Sequence, residues 1–243
     1  MKEIFVSIFG KPMGIVLFQL LDATQFTVYL TLIAFIGGGL VAVVIAFLRI
    51  APRKYLIAAA SGYIWLFQSV PLLMLLFLLG LGIPRLLGLN VDPWTAAAIA
   101  LTVFTSAYLA DVWRGALQAV PAGQWEGGYA IGLSFAGNLY LVILPQAIRM
   151  AVGPTIGFLV QIIKGTSLAY IIGFQDVMSM GKRWANAPVE GTEPFIIFPL
   201  MALIYFCLCY PLSLLSTWWE GRSARGYRAP SRPQRSKVNV HAA

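Results

Sequence analysis

Apolar residues in this chain come in long unbroken runs, not in the alternation of a half-buried strand. Five runs approach the roughly 20 residues that a helix needs to cross a bilayer, at about 26–48, 57–82, 94–113, 153–174 and 195–218. The first, FTVYLTLIAFIGGGLVAVVIAFL, is closed by Arg49, Arg53 and Lys54. The second holds Pro71 in its middle, where the ring removes a backbone donor and disfavours helical geometry at Val70, so a kinked or broken helix is expected. The third opens at Pro93-Trp94, with proline suited to a first helical turn and tryptophan to an interface. The fourth begins after Gly153-Pro154 and contains Lys164. The fifth ends in Trp218-Trp219 beside Glu220 and Arg222. The pattern therefore predicts an all-α membrane protein with five transmembrane helices, divided into an N-terminal segment 1–22, a membrane domain 23–218 and a basic tail 219–243.

Composition agrees: 59% of residues are apolar and 11% charged, where a soluble domain carries about a quarter charged. Distribution of the positive residues sets the orientation. With the N-terminus outside, the inner segments hold Arg49, Arg53, Lys54, Arg114, Arg149, Arg222, Arg225, Arg228, Arg232, Arg235 and Lys237, and the outer ones Lys2, Lys11, Arg85, Lys182 and Arg183. That predicts N-out, C-in, and it accounts for the formal net charge of +8 without nucleic acid: the tail is an orientation signal near anionic lipid. At the N-terminus, Glu3, Lys11-Pro12 and the lack of an A-x-A site argue against a cleaved signal peptide. Ile4, Phe5, Ile8 and Phe9 recur at helical spacing, so a short helix lying on the outer membrane face is expected.

Chemistry is limited by residue type. The single histidine is His241, in a tail that reads as disordered, and Cys207 and Cys209 lie two apart on a helix, on different faces. No metal or nucleophile constellation can be assembled from them, and no G-x-x-x-x-G-K-[ST] loop is present to cradle a nucleotide phosphate. If the protein does work against a gradient, the energy comes from elsewhere. Asp111 and Arg114, one turn apart, read as a structural ion pair.

Residues 126–146, EGGYAIGLSFAGNLYLVILPQ, interrupt the apolar pattern. Glu126, Gly127, Gly128 and Gly132 are poor material for a lipid-buried span, since glycine loosens a helix by about 1 kcal/mol relative to alanine. The residues suggest a short helix, a bend at Gly132 to Ser134, and a second segment ending at Pro145: two short helices forming a cytoplasmic knob, or an amphipathic loop on the membrane. Glu126 reads as an exposed acid near the start of a short helix, where the helix dipole favours it.

The spacing Glu126-Gly-Gly-Tyr-Ala-Ile-Gly132, nine residues, then Val142-Ile-Leu-Pro145 resembles the E-A-A-x-x-x-G-x9-I-x-L-P signature of the permease subunits of binding-protein-dependent ABC importers, with glycines for the two alanines. YLADVWRGALQAVPAGQWE (108–126), ILPQAIR (143–149) and KGTSLAYIIG (164–173) resemble the polar amino-acid branch of that family. The resemblance implies that the signature forms a coupling helix, within 125–147, seated in a groove of a separate cytoplasmic ATPase, with Glu126, Gly127, Gly128, Ala130, Gly132, Leu144 and Pro145 at the contact. It implies a bacterial inner-membrane permease of an amino-acid importer, paired with a second permease subunit (a copy or a homologue), an ATPase dimer that holds the ATP and Mg, and a periplasmic amino-acid-binding protein. This chain itself would be non-catalytic and carry no cofactor.

Candidate path residues are Gln68, Pro71, Lys164, Thr166 and Ser167. A lysine at mid-span costs about 2.5–3.5 kcal/mol on an insertion scale, so Lys164 should face protein or a water-filled cavity. Thr166 and Ser167 would hydrogen-bond a substrate or back-bond their own helix. Gln68-Ser-Val-Pro71-Leu72 stands where the resembled permeases carry Arg-Gly-Thr-Pro-Leu. A channel or secondary transporter would explain Lys164 but not the 126–146 knob. A structural membrane protein or assembly factor would explain the helices but not the signature.

Overall fold

The computed structural model describes residues 2–51 and 53–226, all of it helix and connecting turns. His241 and most of the basic tail lie outside the described residues. A short α1 (Lys2–Phe9) folds back on the start of α2 (Met13–Ile50), where the bare Cα of Gly14 leaves room for the backbone of Phe5 and Val6. The 38 residues of α2 would rise about 57 Å at 1.5 Å per residue, more than a hydrocarbon core needs. The first helix therefore begins well before residue 26, and residues 13–22 belong to it.

The second apolar run is broken where the sequence places the proline. Helix α3 (Lys54–Ser69) and the stretch Leu72–Leu86 meet at 97°. Val70, just before Pro71, is extended (φ −93°, ψ 125°), as the clash with a following proline ring demands. The second arm consists of α4 (Leu72–Phe77), a five-residue π-turn and α5 (Ile83–Leu86). Then α6 (Pro93–Ala119) starts on an Asp92 cap, whose side chain accepts bonds from Thr95 N (3.0 Å) and Oγ1 (2.6 Å).

After α6 come α7 (Ala122–Ala130) and α8 (Phe135–Asn138), a second π-turn (Leu139–Ile143), α9 (Leu144–Thr166), a 3₁₀ segment (Ser167–Ile172), α10 (Val177–Ala185) and α11 (Pro194–Gly226). Two expectations are corrected here. The segment beginning at Phe135 does not end at Pro145, and the fourth run does not start after Pro154: one apolar stretch continues from Phe135 to Ile172. Both prolines are accommodated inside it. Just before Pro145 the helix widens, Leu144 N–H bonding to Leu139 O, and the same π-turn precedes Pro84, where Ile83 N–H bonds to Leu78 O. A wider turn makes room for a ring that would clash in a regular helix. Around Pro154, α11 supplies donors to carbonyls of α9: Ser216 Oγ to Gly153 O (2.8 Å), and Trp219 Nε1 and Ser223 Oγ to Arg149 O (3.1 Å each). These bonds brace α9 against α11 just ahead of Pro154, whose ring removes the donor that the Met150 carbonyl would otherwise have within the helix.

Four described helical stretches are long and apolar enough to cross a membrane, and a fifth if the bent pair is one span. The chain is thus an all-α protein with several membrane-spanning helices. Its centre is the packing of α2, α6 and α9, around Leu30, Leu101, Leu109, Phe158 and Ile162. The bare Cα of Gly38 lies against Thr105, so α2 and α6 approach backbone to side chain, as small residues allow between membrane helices. Outward faces carry Ile36, Leu40, Trp65, Leu203 and Phe206 exposed, a surface suited to lipid or to another apolar helix and not to water.

Candidate functional site

The segment between α6 and α9 forms a knob of two parts. Pro121 precedes α7 with φ −55° and ψ 139°, so the helix starts at Ala122 and Glu126 falls in its middle. Glu126 is exposed, as expected, but not in the first turn, so the helix dipole gives it no special favour. The helix ends in a double turn: Gly132 N–H bonds to Tyr129 O (3.0 Å) and Leu133 N–H to Gly128 O (3.1 Å), with Gly132 at φ +82°. This is the glycine-terminated stop in which a left-handed residue lets two orphan carbonyls be satisfied. Ser134 then caps α8, its Oγ accepting from Gly137 N (3.2 Å). The bend at Gly132 to Ser134 lies where the sequence puts it.

The underside of the knob is fastened to the membrane helices. Asn138 is fully buried, and its Nδ2 donates to Trp125 O at 2.8 Å, while its Oδ1 has no partner among the described residues. The Trp125 and Phe135 rings stack at 6.0 Å. Gln146 Nε2 donates to Gln124 Oε1 (3.1 Å) and to Val142 O (2.8 Å). Leu117, Val120, Leu139, Ile143 and Ala147 form a small apolar core beneath. Glu126, Gly127, Ala130, Gly132 and Pro145 are exposed; Gly128 is buried and Leu144 half-buried. The signature residues therefore split into an outer face and an anchored inner one.

The path candidates lie elsewhere. Gln68 and Pro71 flank the break between α3 and α4, and Gln68 Nε2 reaches Ala107 O at 3.4 Å. Lys164, in the last turn of α9, lines a cavity of about 380 Å³ with Ala202, Tyr205, Phe206, Cys209, Tyr210 and Ser213. Its ammonium makes no hydrogen bond or ion pair among the described residues. Thr166 Oγ1 donates to Ile163 O (2.7 Å) and Ser167 Oγ to Lys164 O (2.6 Å), so both hydroxyls bond back to their own helix. The fold joins the two groups: a Cβ on Gly165 would lie 2.9 Å from Leu72 Cδ2, so the broken helix touches α9 at Lys164–Thr166. Asp111 and Arg114 form the ion pair read from their spacing, at 2.8 Å. Cys207 is exposed and Cys209 buried.

Two features escaped sequence reading. One is Asn138, whose only signal was an amide standing just ahead of the run LYLVIL. The other is Asp176, fully buried at the start of α10, where its Oδ1 accepts from Ser179 N (2.8 Å) and its Oδ2 from Tyr205 Oη (3.2 Å). Burial pushes its carboxyl up to about 6, against the pull of these hydrogen bonds.

The model of the family described as binding-protein-dependent transport system inner membrane component matches residues 38–228, which include the broken helix, the knob and the Lys164 region. This chain belongs to that family. Among its relatives, the L-cystine transport system permease protein TcyB of Bacillus subtilis (strain 168) is 32% identical over 200 residues, 82% of this chain and 84% of TcyB. The probable amino-acid permease protein YxeN of the same organism is 32% identical over 214 residues, 87% and 93% of the two chains. A crystal structure of an amino acid ABC transporter with histidines superposes with a TM-score of 0.78 at 28% identity, over 84% of this chain and 94% of that one. The MetNI methionine ABC transporter, at 18% identity and TM-score 0.71, shares the fold. Membership makes the chain a multi-pass inner-membrane permease of an ABC transporter, which works with a separate ATPase and a binding protein.

Proposed function

We propose that the chain is the permease of an amino-acid importer, that it crosses the membrane five times with its N-terminus outside, and that the knob of residues 122–146 is the seat of the ATPase. The observation that carries the reading is the knob itself: an exposed α7 with Glu126 on its surface, fastened by a buried underside to the helix that carries Lys164. The Asn138–Trp125 and Gln146–Gln124 bonds and the small apolar core beneath give a load applied at α7 a direct route to α9. Such a link is what coupling needs, because ATP can shift the permease between two states only through contacts that differ between them.

Counting the bent pair as one span gives five and leaves the basic residues around 49–54, 114–149 and beyond 222 on one side, the side of the knob. Relatives with similar sequences carry amino-acid names, which supports that substrate class. Pro71 and Gln68 flank the break whose second arm touches Gly165, next to Lys164, Thr166 and Ser167 in the chain, and irregular backbone at a break is tolerated only where protein or a water-filled cavity receives it. One chain supplies half of the path in this reading; a copy or a homologue supplies the rest, and two ATPase subunits seat on the pair of knobs.

The test is Glu126→Lys. Reversing a charge at a contact that excludes water commonly costs several kcal/mol, so the ATPase should no longer co-purify or its hydrolysis should no longer respond to the loaded binding protein. Membrane insertion should persist, because Glu126 is exposed outside the long helices. Normal co-purification and normal stimulation together would refute the assignment of the knob.

A further inference from the structure

The two glycines that stand for the alanines of the signature are not equivalent. A Cβ added to Gly127 would meet nothing within 4 Å; one added to Gly128 would fall on the amide of Asn138, inside contact distance of Oδ1 and Cγ and 2.6 Å from Nδ2. Asn138 is fully buried, and its amide is held by one hydrogen bond, to the carbonyl of Trp125. Its Oδ1 is buried without a partner among the described residues, which costs free energy that an apolar side chain at this position would not. Stability alone does not account for an amide here. Geometry does: the bond crosses from the start of the α9 stretch to α7, three residues ahead of Gly128, whose own carbonyl takes the closing bond of the turn from Leu133.

We infer that Asn138 is a positioning residue for the ATPase contact, and that its amide, seated against the bare Cα of Gly128, fixes the angle between α7 and the membrane helix. Gly128 and Asn138 act as one unit, a small residue and an amide in place of a methyl group and an apolar neighbour. The inference rests on the reading of the knob as the ATPase seat. Its lever is short but sensitive: Ala122 lies about 9 Å from Gly128 at 1.5 Å per residue, so a rotation of about 5° at Gly128 moves it by about 0.8 Å. That displacement is enough to spoil a preformed polar contact.

The experiment uses the permease in lipid nanodiscs and the purified ATPase subunit as the probe. Affinity is measured by titration, and the angle by spin labels at Ala122→Cys and Tyr140→Cys, both exposed positions. Gly128→Ala should weaken ATPase binding by about tenfold, the loss expected when a buried amide is displaced from its partner, and shift or broaden the spin–spin distance. Gly127→Ala should cost less than Gly128→Ala, and Gly115→Ala, a control in α6 with open space around it, should leave both readouts unchanged. Asn138→Ala alone should broaden the distance with a loss of about threefold. The double variant Gly128→Ala/Asn138→Ala should bind better than Gly128→Ala alone, because removing the amide clears the space for the methyl group.

Should Gly128→Ala behave like Gly127→Ala, or should the double variant be worse than Gly128→Ala alone, the proposal is overturned. Where Gly128→Ala does not accumulate, Asn138→Ala decides: an unchanged distance distribution refutes the positioning role. Failure of the underlying reading looks different. In that case Glu126→Lys leaves ATPase affinity unaltered, while Gly128→Ala still moves the spin labels.

Discussion

Two turns bracket the apolar stretch Phe135–Ile172, and they are built from the same local code. At one end Gly132 (φ +82°) closes α7 and Ser134 caps the next helix; at the other Gly173 (φ +92°) closes the 3₁₀ segment and Asp176 caps α10. The closing bonds correspond pair by pair: Gly132 N to Tyr129 O and Leu133 N to Gly128 O, against Gly173 N to Tyr170 O and Phe174 N to Ala169 O. What differs is the surroundings. Phe174, Asp176 and Val177 are fully buried, and the Phe174 ring meets Trp94 edge-on at 4.8 Å. Around Gly132, Ile131 is 77% exposed and Glu126 lies on the surface. One turn is a clasp that ties the end of α9 to its neighbours; the other is a handle. Local sequence makes the turn, and what packs on it sets its use.

The comparison breaks most clearly at the caps. Asp176→Leu removes a helix cap and takes away the carboxylate that accepts from the half-buried Tyr205 hydroxyl, at an expected cost of about 4 kcal/mol, visible as a lowered midpoint in detergent unfolding. Next in size is a pH effect confined to the clasp. The folded state holds the Asp176 carboxyl at about 6, above its ordinary 3.8. A raised carboxyl favours the protonated fold, so this contribution is full below about pH 4 and lost as pH rises through about 6. Raising the carboxyl from 3.8 to about 6 corresponds to about 3 kcal/mol. Wild type should therefore lose stability over that window relative to Asp176→Asn, which has no proton to exchange; parallel curves would show that Asp176 does not sense burial.

The glycines come third. Each sits in a left-handed conformation that costs another residue about 1–2 kcal/mol, so Gly132→Ala and Gly173→Ala should be destabilising by similar amounts. Their readouts should diverge: Gly173→Ala should lower the unfolding midpoint of the whole permease, whereas Gly132→Ala should reduce ATPase co-purification with a smaller change in that midpoint. Smallest is Ser134→Ala, a cap on an exposed turn, expected to cost about 1 kcal/mol or less. If it destabilises the protein as much as Asp176→Leu does, the distinction between handle and clasp is wrong.

Much of this architecture was legible in the chain. A run of 20 apolar residues has only one structure that satisfies its backbone in lipid, so long helices follow directly from composition. The 97° break at Pro71 follows from one ring, and the bend at Gly132 from one residue able to take a positive φ. The starts and ends of helices were harder. The stretch Phe135–Ile172 hides Pro145 and Pro154, residues that locally argue for termination, because a widened turn makes room for the first ring and donors from α11 brace the helix around the second. Those donors, Ser216, Trp219 and Ser223, stand more than sixty residues away in sequence.

By itself, then, the sequence determined the solvent, the helices, the turn at Gly132 and the signature of the family. Tertiary structure decided which of two adjacent glycines is free and which is occupied, that Asn138 lies inside the knob, and that Asp176 is buried against Tyr205. The reason is physical: periodicity and backbone preference act over a few residues, whereas burial is a property of what folds on top. Gly127 and Gly128 are the same residue in the chain, and only the amide of Asn138, ten residues on from Gly128, tells them apart.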